Sequence, residues 1–240
     1  MEPRLKVNNL SKQVLSYDYA MKNNRQAEEM ASFFDQRARS YDAHMQQSLE
    51  NAQVYYRKLA EPIKETKAAI DILDIGCGTG LEIPAILERV PNANITCIDL
   101  SRKMLQMLKE KFSWVSLKLV QASYLSFNFG RDQYDIALSS MTLHHLLPDE
   151  KRRLYEKILS ALRPQSLYIE GDYVVREEKM ESLLANYRVL SPEVKKGSHH
   201  IDIPLSLPKQ FELLQVAGFS EIALIYSRGE NVIISAKKTT

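Results

Sequence analysis

The sequence predicts an α/β protein built on a parallel sheet, and three observations carry that prediction. An apolar run, Ile70 to Ile75, ends in glycines at alternate positions, Gly76, Gly78 and Gly80, and a helical pattern through Leu81, Ile83, Ile86, Leu87 and Val90 follows at once. A second apolar run, Ile95 to Ile98, ends in Asp99, where a second parallel strand should end. Near the far end, Glu221 to Ser227 and Asn231 to Ala236 flank Arg228-Gly229-Glu230, the pattern of a hairpin, so the last strand should run antiparallel to its neighbour.

Strand, glycine turn and helix form a layout in which backbone approaches a nucleotide-like ligand closely, because no Cβ stands in the way. The dinucleotide fingerprint needs glycines at the first, third and sixth positions; Gly76 and Gly78 fit, but the sixth position is Leu81. Asp74, two residues before the first glycine, would suit a ligand carrying an ammonium group. Asp99 is placed to accept hydrogen bonds from both hydroxyls of a ribose.

On these residues the sequence resembles the class I S-adenosylmethionine-dependent methyltransferases. The resemblance rests on Leu73-Asp74-Ile75-Gly76-Cys77-Gly78-Thr79-Gly80 and Ile98-Asp99-Leu100-Ser101. It extends over roughly residues 30 to 238, through Tyr134-Asp135, Thr142-Leu143-His144-His145-Leu146 and Ala217-Gly218-Phe219. It implies a doubly wound, Rossmann-like seven-stranded sheet with an antiparallel last strand and a helical N-terminal cover. It also implies S-adenosyl-L-methionine as cofactor, held by Asp74, Gly76, Gly78, Gly80, Asp99 and Leu100. Two units are expected: a cover over residues 1–67, and a cofactor-binding domain over 68–240 that includes a lid or insertion at 176–208.

In chain order, residues 1 to 22 read as an arm or weak helix holding Tyr17 and Tyr19. A helix is expected from Arg25 to about Arg39, with Ala27, Met30, Phe33 and Phe34 near one face. In the resembled family a segment like Phe34 to Asp42 covers the cofactor, which would set Tyr41 against its methionine end. Arg37 reads either as a partner for the cofactor carboxylate or as a solvated charge. Residues 46 to 67 read as a second helix, with Pro62 near a bend. Ser101 is an N-cap candidate for a helix to about Phe112, and Val115 to Val120 reads as the third strand. Many relatives carry an acid in the next turn to hold the adenine; this chain has Ser123, followed by Tyr124.

Tyr134 to Ser140 reads as the fourth strand, and in an open parallel sheet ligands lie beyond the carboxyl ends of the strands. Backbone at Ser140 is therefore expected beside the cofactor, and His144 and His145 at the mouth of the site. That pair reads either as a base or substrate donor, or as a packed loop-to-helix corner. Pro148 to Leu162 should be a helix with Asp149 and Glu150 in its first turn, ended by Arg163-Pro164. The fifth strand is expected over Ser166 to Val175, bringing Glu170, Asp172 and Tyr173 to the same edge as the histidines. A helix over Arg176 to Leu190, an irregular insertion holding His199, His200 and Asp202, and a helix from Pro208 ended by Gly218 complete the pattern. Histidine is the natural base near neutral pH. The catalytic candidates are thus His199, His200, His145 and Asp172, with His199 or His200 facing the acceptor from the lid.

The chain's 240 residues and 45% apolar content suit a globular protein with a sizeable core. A net charge of +2 neither demands nor excludes nucleic acid, although a purely electrostatic footprint on phosphates would be more basic. Cys77 and Cys97 read as buried thiols, which fits a reducing cytoplasm. No signal peptide, membrane span or zinc-type cysteine spacing is expected, and no metal. The expected function is methyl transfer to a small-molecule acceptor. The alternatives are a tRNA-modifying methyl- or carboxymethyltransferase, for which Arg37 or Arg188 would have to meet an extra cofactor carboxylate, and a non-catalytic cofactor-binding protein. Oligomeric state is left open.

Overall fold

A computed structural model describes residues 29–189 and 199–239. The expected arm with Tyr17 and Tyr19, and residues 190–198 of the expected lid, lie outside the described residues. Helices α1 (Met30–Ser48) and α2 (Ala52–Ala60) precede the sheet. Then follow β1 (Asp71–Ile75), α3 (Ile83–Arg89), β2 (Asn94–Asp99), α4 (Arg102–Lys111), β3 (Leu117–Gln121) and β4 (Tyr134–Ser140). A 3-10 turn at Leu143–His145 leads to α5 (Pro148–Ala161), β5 (Leu162–Tyr173) and α6 (Glu177–Arg188). Helix α7 (Leu207–Val216) and the hairpin β6 (Ser220–Arg228) and β7 (Asn231–Lys237) close the chain.

The seven strands form one sheet in the order β3-β2-β1-β4-β5-β7-β6. Strands β1 to β5 pair in parallel, and β7 is antiparallel to both β5 and β6. Alternation along each strand divides the core between the two faces. On one face Ile72, Ile95, Cys97, Leu138 and Ile169 pack with Tyr55 and Leu59 of α2, Ile83 of α3 and Leu108 of α4. On the other, Leu73, Ile75, Ile98, Ala137 and Tyr168 pack with Leu154 and Ile158 of α5, Leu183 of α6 and Leu213 of α7. The order reverses between β1 and β4, and the crevice beyond those two carboxyl ends is where such a sheet takes its ligand.

Several boundaries differ from the sequence pattern for local reasons. Helix α1 continues through Tyr41-Asp42 to Ser48, and a break follows in which Asn51 (φ 60°) caps α2 through its own side chain. Residues 46–67 are therefore not one helix. Strand β5 begins at Leu162 and passes through Pro164, because the β4–β5 register shifts there and Gln165 takes φ 64°. The proline sits in that irregularity, where no ladder hydrogen bond is asked of it.

Helix α1 is latched across the sheet edge. Asp35 accepts hydrogen bonds from the Ser101 hydroxyl and the Lys103 backbone N–H. Asp42 accepts from the Thr79 hydroxyl in the glycine turn and pairs with Lys111.

Candidate active site

The glycine turn hangs from β2: Gly76 and Cys77 both donate their N–H to the Ile98 carbonyl, at 2.8 and 3.1 Å. Gly76 adopts φ +69°, and a Cβ there would lie 2.3 Å from Thr142 Oγ1 across the β1–β4 crevice. Only glycine lets the two loops meet so closely. Gly78 also takes positive φ, +51°, and a Cβ there would lie 3.6 Å from the Tyr41 ring. The Asp99 carboxylate accepts from Gly78 N–H at 2.9 Å and Ser101 N–H at 2.7 Å. Burial pushes its pKa up to about 6, with those two backbone donors opposing the rise.

Tyr41, Gly76, Gly78, Asp99, Leu100, Ser123 and Tyr124 line one end of a cavity of about 240 Å³. His145 and His199 line it too, with Glu150 of α5 and Tyr187 of α6. One enclosure therefore runs from the glycine turn to the mouth of β4 and the first turn of α5, roofed by Met30 and Phe34 of α1. Ser123 Oγ accepts the Leu125 N–H, so this turn is held by the serine itself.

Other predicted residues lie outside this wall. Asp74 is fully buried beneath the glycine turn, with neither carboxylate oxygen hydrogen-bonded. Its surroundings raise its pKa, burial first and the Glu82 carboxyl next; Glu82, likewise buried, is pushed up to about 7. Two carboxylates that only accept cannot both ionise so close together, so the pair holds a proton. Gly80 (φ +74°) is a packing position: a Cβ would meet Ile83, Leu108 and Phe112 at 3.0 to 3.2 Å. Ser140 is likewise not on the cavity wall. Arg37 lies with its guanidinium 3.5 Å from the Phe33 ring centroid, and neither it nor Arg188 lines the cavity.

The histidines form a cluster at the acceptor end. His144 Nδ1 lies 2.6 Å from Asp172 Oδ1, and its backbone N–H donates to Asp172 Oδ2 at 3.0 Å. Burial opposes the charge on His144, but Asp172 and then Asp202 outweigh it and raise the pKa. Burial, and then the neighbouring His144, lower that of His145. His200 turns away from the cavity and stacks on Phe33, ring centroids 3.5 Å apart. Burial and the adjacent His145 lower its pKa to about 3. His199 is pinned to Glu29 by an antiparallel bridge. Glu170 turns from the histidines to the buried Lys151 at 2.8 Å and accepts from Tyr155 and Tyr168.

Phe34, Thr142, Glu150 and Tyr187 were not candidates from the sequence. Glu150 carries a signal that reads equally well as helix capping, and it does accept the Leu147 N–H at 3.0 Å. Among the described residues no arginine or lysine lines the cavity. None of the described helices is long and apolar enough to cross a membrane.

Residues 72–165 match the family model described as "Methyltransferase domain". Malonyl-[acyl-carrier protein] O-methyltransferase 2 of Ilyobacter polytropus is 28% identical over 147 residues, 61% of this chain and 55% of that protein. The chain thus spans about half the length of that relative. Carboxy-S-adenosyl-L-methionine synthase of Campylobacter hominis is 24% identical over 224 residues, 88% of this chain and 93% of that one. Human N-acetylserotonin methyltransferase, solved in complex with SAM, superposes with a TM-score of 0.67 at 18% identity, covering 96% of this chain and 66% of that chain. Its likeness is one of fold.

Proposed function

We propose that this chain, a member of the class I S-adenosylmethionine-dependent methyltransferases, binds S-adenosyl-L-methionine at the β1–β4 crevice and transfers its methyl group to a small-molecule acceptor. One observation carries the reading: a single cavity joins the Gly76–Gly78–Asp99 end to the His145–His199–Glu150–Tyr187 end. The residues present fit the cofactor. A Cβ at Gly78 would protrude into the space under Tyr41, and Asp99 offers a buried carboxylate at the cavity wall for a diol. The wall's charged groups, Asp99 and Glu150, with the rings of Tyr41, Phe34 and Tyr124, suit a sulfonium cation.

The cofactor supplies an already activated methyl group, so the protein's task is binding, orientation and exclusion of water. Tyr41 and Phe34 of α1 close the cavity from above, and the Asp35 and Asp42 latches hold them there. His199, at the acceptor end, is the residue we assign to receive a proton when the nucleophile must lose one. The free, buried thiols of Cys77 and Cys97 support a reducing, cytoplasmic setting.

The likeness to carboxy-S-adenosyl-L-methionine synthases over most of the chain favours a second reading, a carboxylated cofactor. A further carboxylate beside the sulfonium calls for a cation in the wall, and the described wall carries none from arginine or lysine. The test is to incubate the purified protein with methyl-labelled S-adenosylmethionine and cell extract split into small-molecule and RNA fractions. Label should enter the small-molecule fraction. Label in RNA would overturn the acceptor class, and tight cofactor binding without transfer to either fraction would indicate a binding protein.

A further inference from the structure

We infer that His144, His145 and Asp202 form a binding site for a divalent transition-metal ion of the zinc class, beside the acceptor-end wall. The three residues come from two segments: the Leu143–His145 turn after β4 and the stretch that begins at His199. A 2.6 Å hydrogen bond from Ile203 N–H to the His144 carbonyl ties these segments together.

The Asp202 Oδ1 atom lies at the centre. It is 3.0 Å from His145 Nδ1, 3.6 Å from His200 Nε2 and 3.9 Å from His144 Nε2. One donor atom from each of His144, His145 and Asp202 lies within 4.8 Å of the others. Metal–nitrogen and metal–oxygen bonds of about 2.0–2.2 Å place neighbouring donors of a tetrahedral ion about 3.3 Å apart. The separations of His145 and His144 from Asp202, 3.0 and 3.9 Å, bracket that spacing, while His200, stacked on Phe33, stays outside the group.

A second observation points to a ligand rather than to an internal network. His145 Nδ1 and Asp202 Oδ1 are both buried, and although 3.0 Å apart they are not aligned as a hydrogen bond; each is left without a hydrogen-bond partner. The His145 side chain is only 4% exposed. Buried polar atoms are seldom left so. A cation seated off the line joining these donors satisfies both at once. Moreover, Asp172 receives the other ring nitrogen of His144 and leaves Nε2 directed to the cluster. A carboxylate behind a histidine is the usual outer support of a metal ligand. The donor set, imidazole with one carboxylate, suits zinc, cobalt, nickel or iron rather than calcium or magnesium. Since His145 also lines the cavity, a bound ion could meet an oxygen or nitrogen donor of the acceptor. The metal assignment itself does not depend on methyl transfer.

The test uses the full chain, freed of any affinity tag and of metal, titrated with Co²⁺ and followed by its visible ligand-field absorption. One equivalent should bind and be displaced by Zn²⁺. Asp202→Asn and His145→Ala should each weaken binding by about tenfold or more, and Asp172→Asn by about 10–100-fold, the usual cost of losing outer-shell support. His44→Ala, remote from the cluster in sequence, serves as the control and should bind as the parent does. Circular dichroism checks that each variant is folded. X-ray absorption of the zinc-loaded parent, which needs no variant, should show two or more imidazoles in the first shell. Absence of stoichiometric binding at micromolar Co²⁺, a first shell without imidazole, or folded Asp202→Asn and His145→Ala variants that bind as the parent does would each overturn the assignment.

Discussion

Replacing Asp99 by Asn probes the cofactor end with little change of shape. The Asp99 carboxylate uses one oxygen for Gly78 N–H at 2.9 Å and the other for Ser101 N–H at 2.7 Å. An amide presents one acceptor and one donor, so one of these backbone N–H groups loses its partner and faces an NH₂ instead. An unmet buried donor costs roughly 1–3 kcal/mol, and the turn that presents Gly78 loosens with it. A diol seated on the carboxylate also loses a charge-assisted bond worth about 1.5–3 kcal/mol. Together these raise the dissociation constant for S-adenosylmethionine by about 60-fold or more. Calorimetric titration of the folded variant measures the loss. The ionised carboxylate is the better acceptor, and burial holds its pKa up to about 6. Parent affinity should therefore rise between pH 5 and pH 7, and that part of the rise should vanish in Asp99→Asn. A folded variant with parent affinity would refute the assignment of Asp99 to the ligand.

Three further outcomes follow from the same geometry. Glu82 has a folded pKa of about 7, above its unfolded value, because of burial first; Asp74 is raised likewise. The folded state therefore binds more protons than the unfolded state, and stability should fall as pH rises from about 4.5 to about 7, by an amount on the order of 3 kcal/mol. Thermal melts across that range read it, and Glu82→Gln should flatten the slope; a parent profile that rises there contradicts the raised pKa of the pair. Gly76→Ala combines a φ of +69° with a Cβ 2.3 Å from Thr142 Oγ1, so it should cost several kcal/mol in denaturant unfolding; Gly229→Ala, with nothing within 4 Å, should cost only the strain of its φ of +60°. Lys151→Met leaves the buried Glu170 without its cation and should cost about 3–5 kcal/mol, readable by urea unfolding, whereas a near-neutral result would mean that Tyr155 and Tyr168 alone satisfy Glu170.

Much of the sheet was legible because its signals are local. The Ile70–Gly80 pattern, Asp99 at the next strand end and the Gly229 hairpin each depend on neighbours in sequence, and each lies where its pattern placed it. The misjudged boundaries depend on single backbone choices: Asn51 turning left-handed, and Pro164 absorbed where the β4–β5 register shifts. The acceptor end was less legible. Asp74 reads as a partner for an ammonium, yet it lies against Glu82, a helix-start residue with no motif to flag it. His144 meets Asp172 and Asp202 only after β4, β5 and the stretch beyond α6 have been brought to one edge. No spacing along the chain records that meeting. His200 differs from His199 only in which way each faces, one against Phe33 and the other toward the cavity, and an irregular segment carries no periodicity from which to read that difference.

The central claim is that one cavity holds cofactor and acceptor together, with the methyl group delivered from the glycine-turn end to the histidine end. A crystal structure with S-adenosylhomocysteine bound tests it most directly. Ribose hydroxyls are expected on Asp99, the ligand backbone over Gly76 and Gly78 beneath Tyr41, and the sulfur turned toward the space between His145 and His199. A ligand bound elsewhere, or one in this cavity with its sulfur turned away from both histidines, would contradict it.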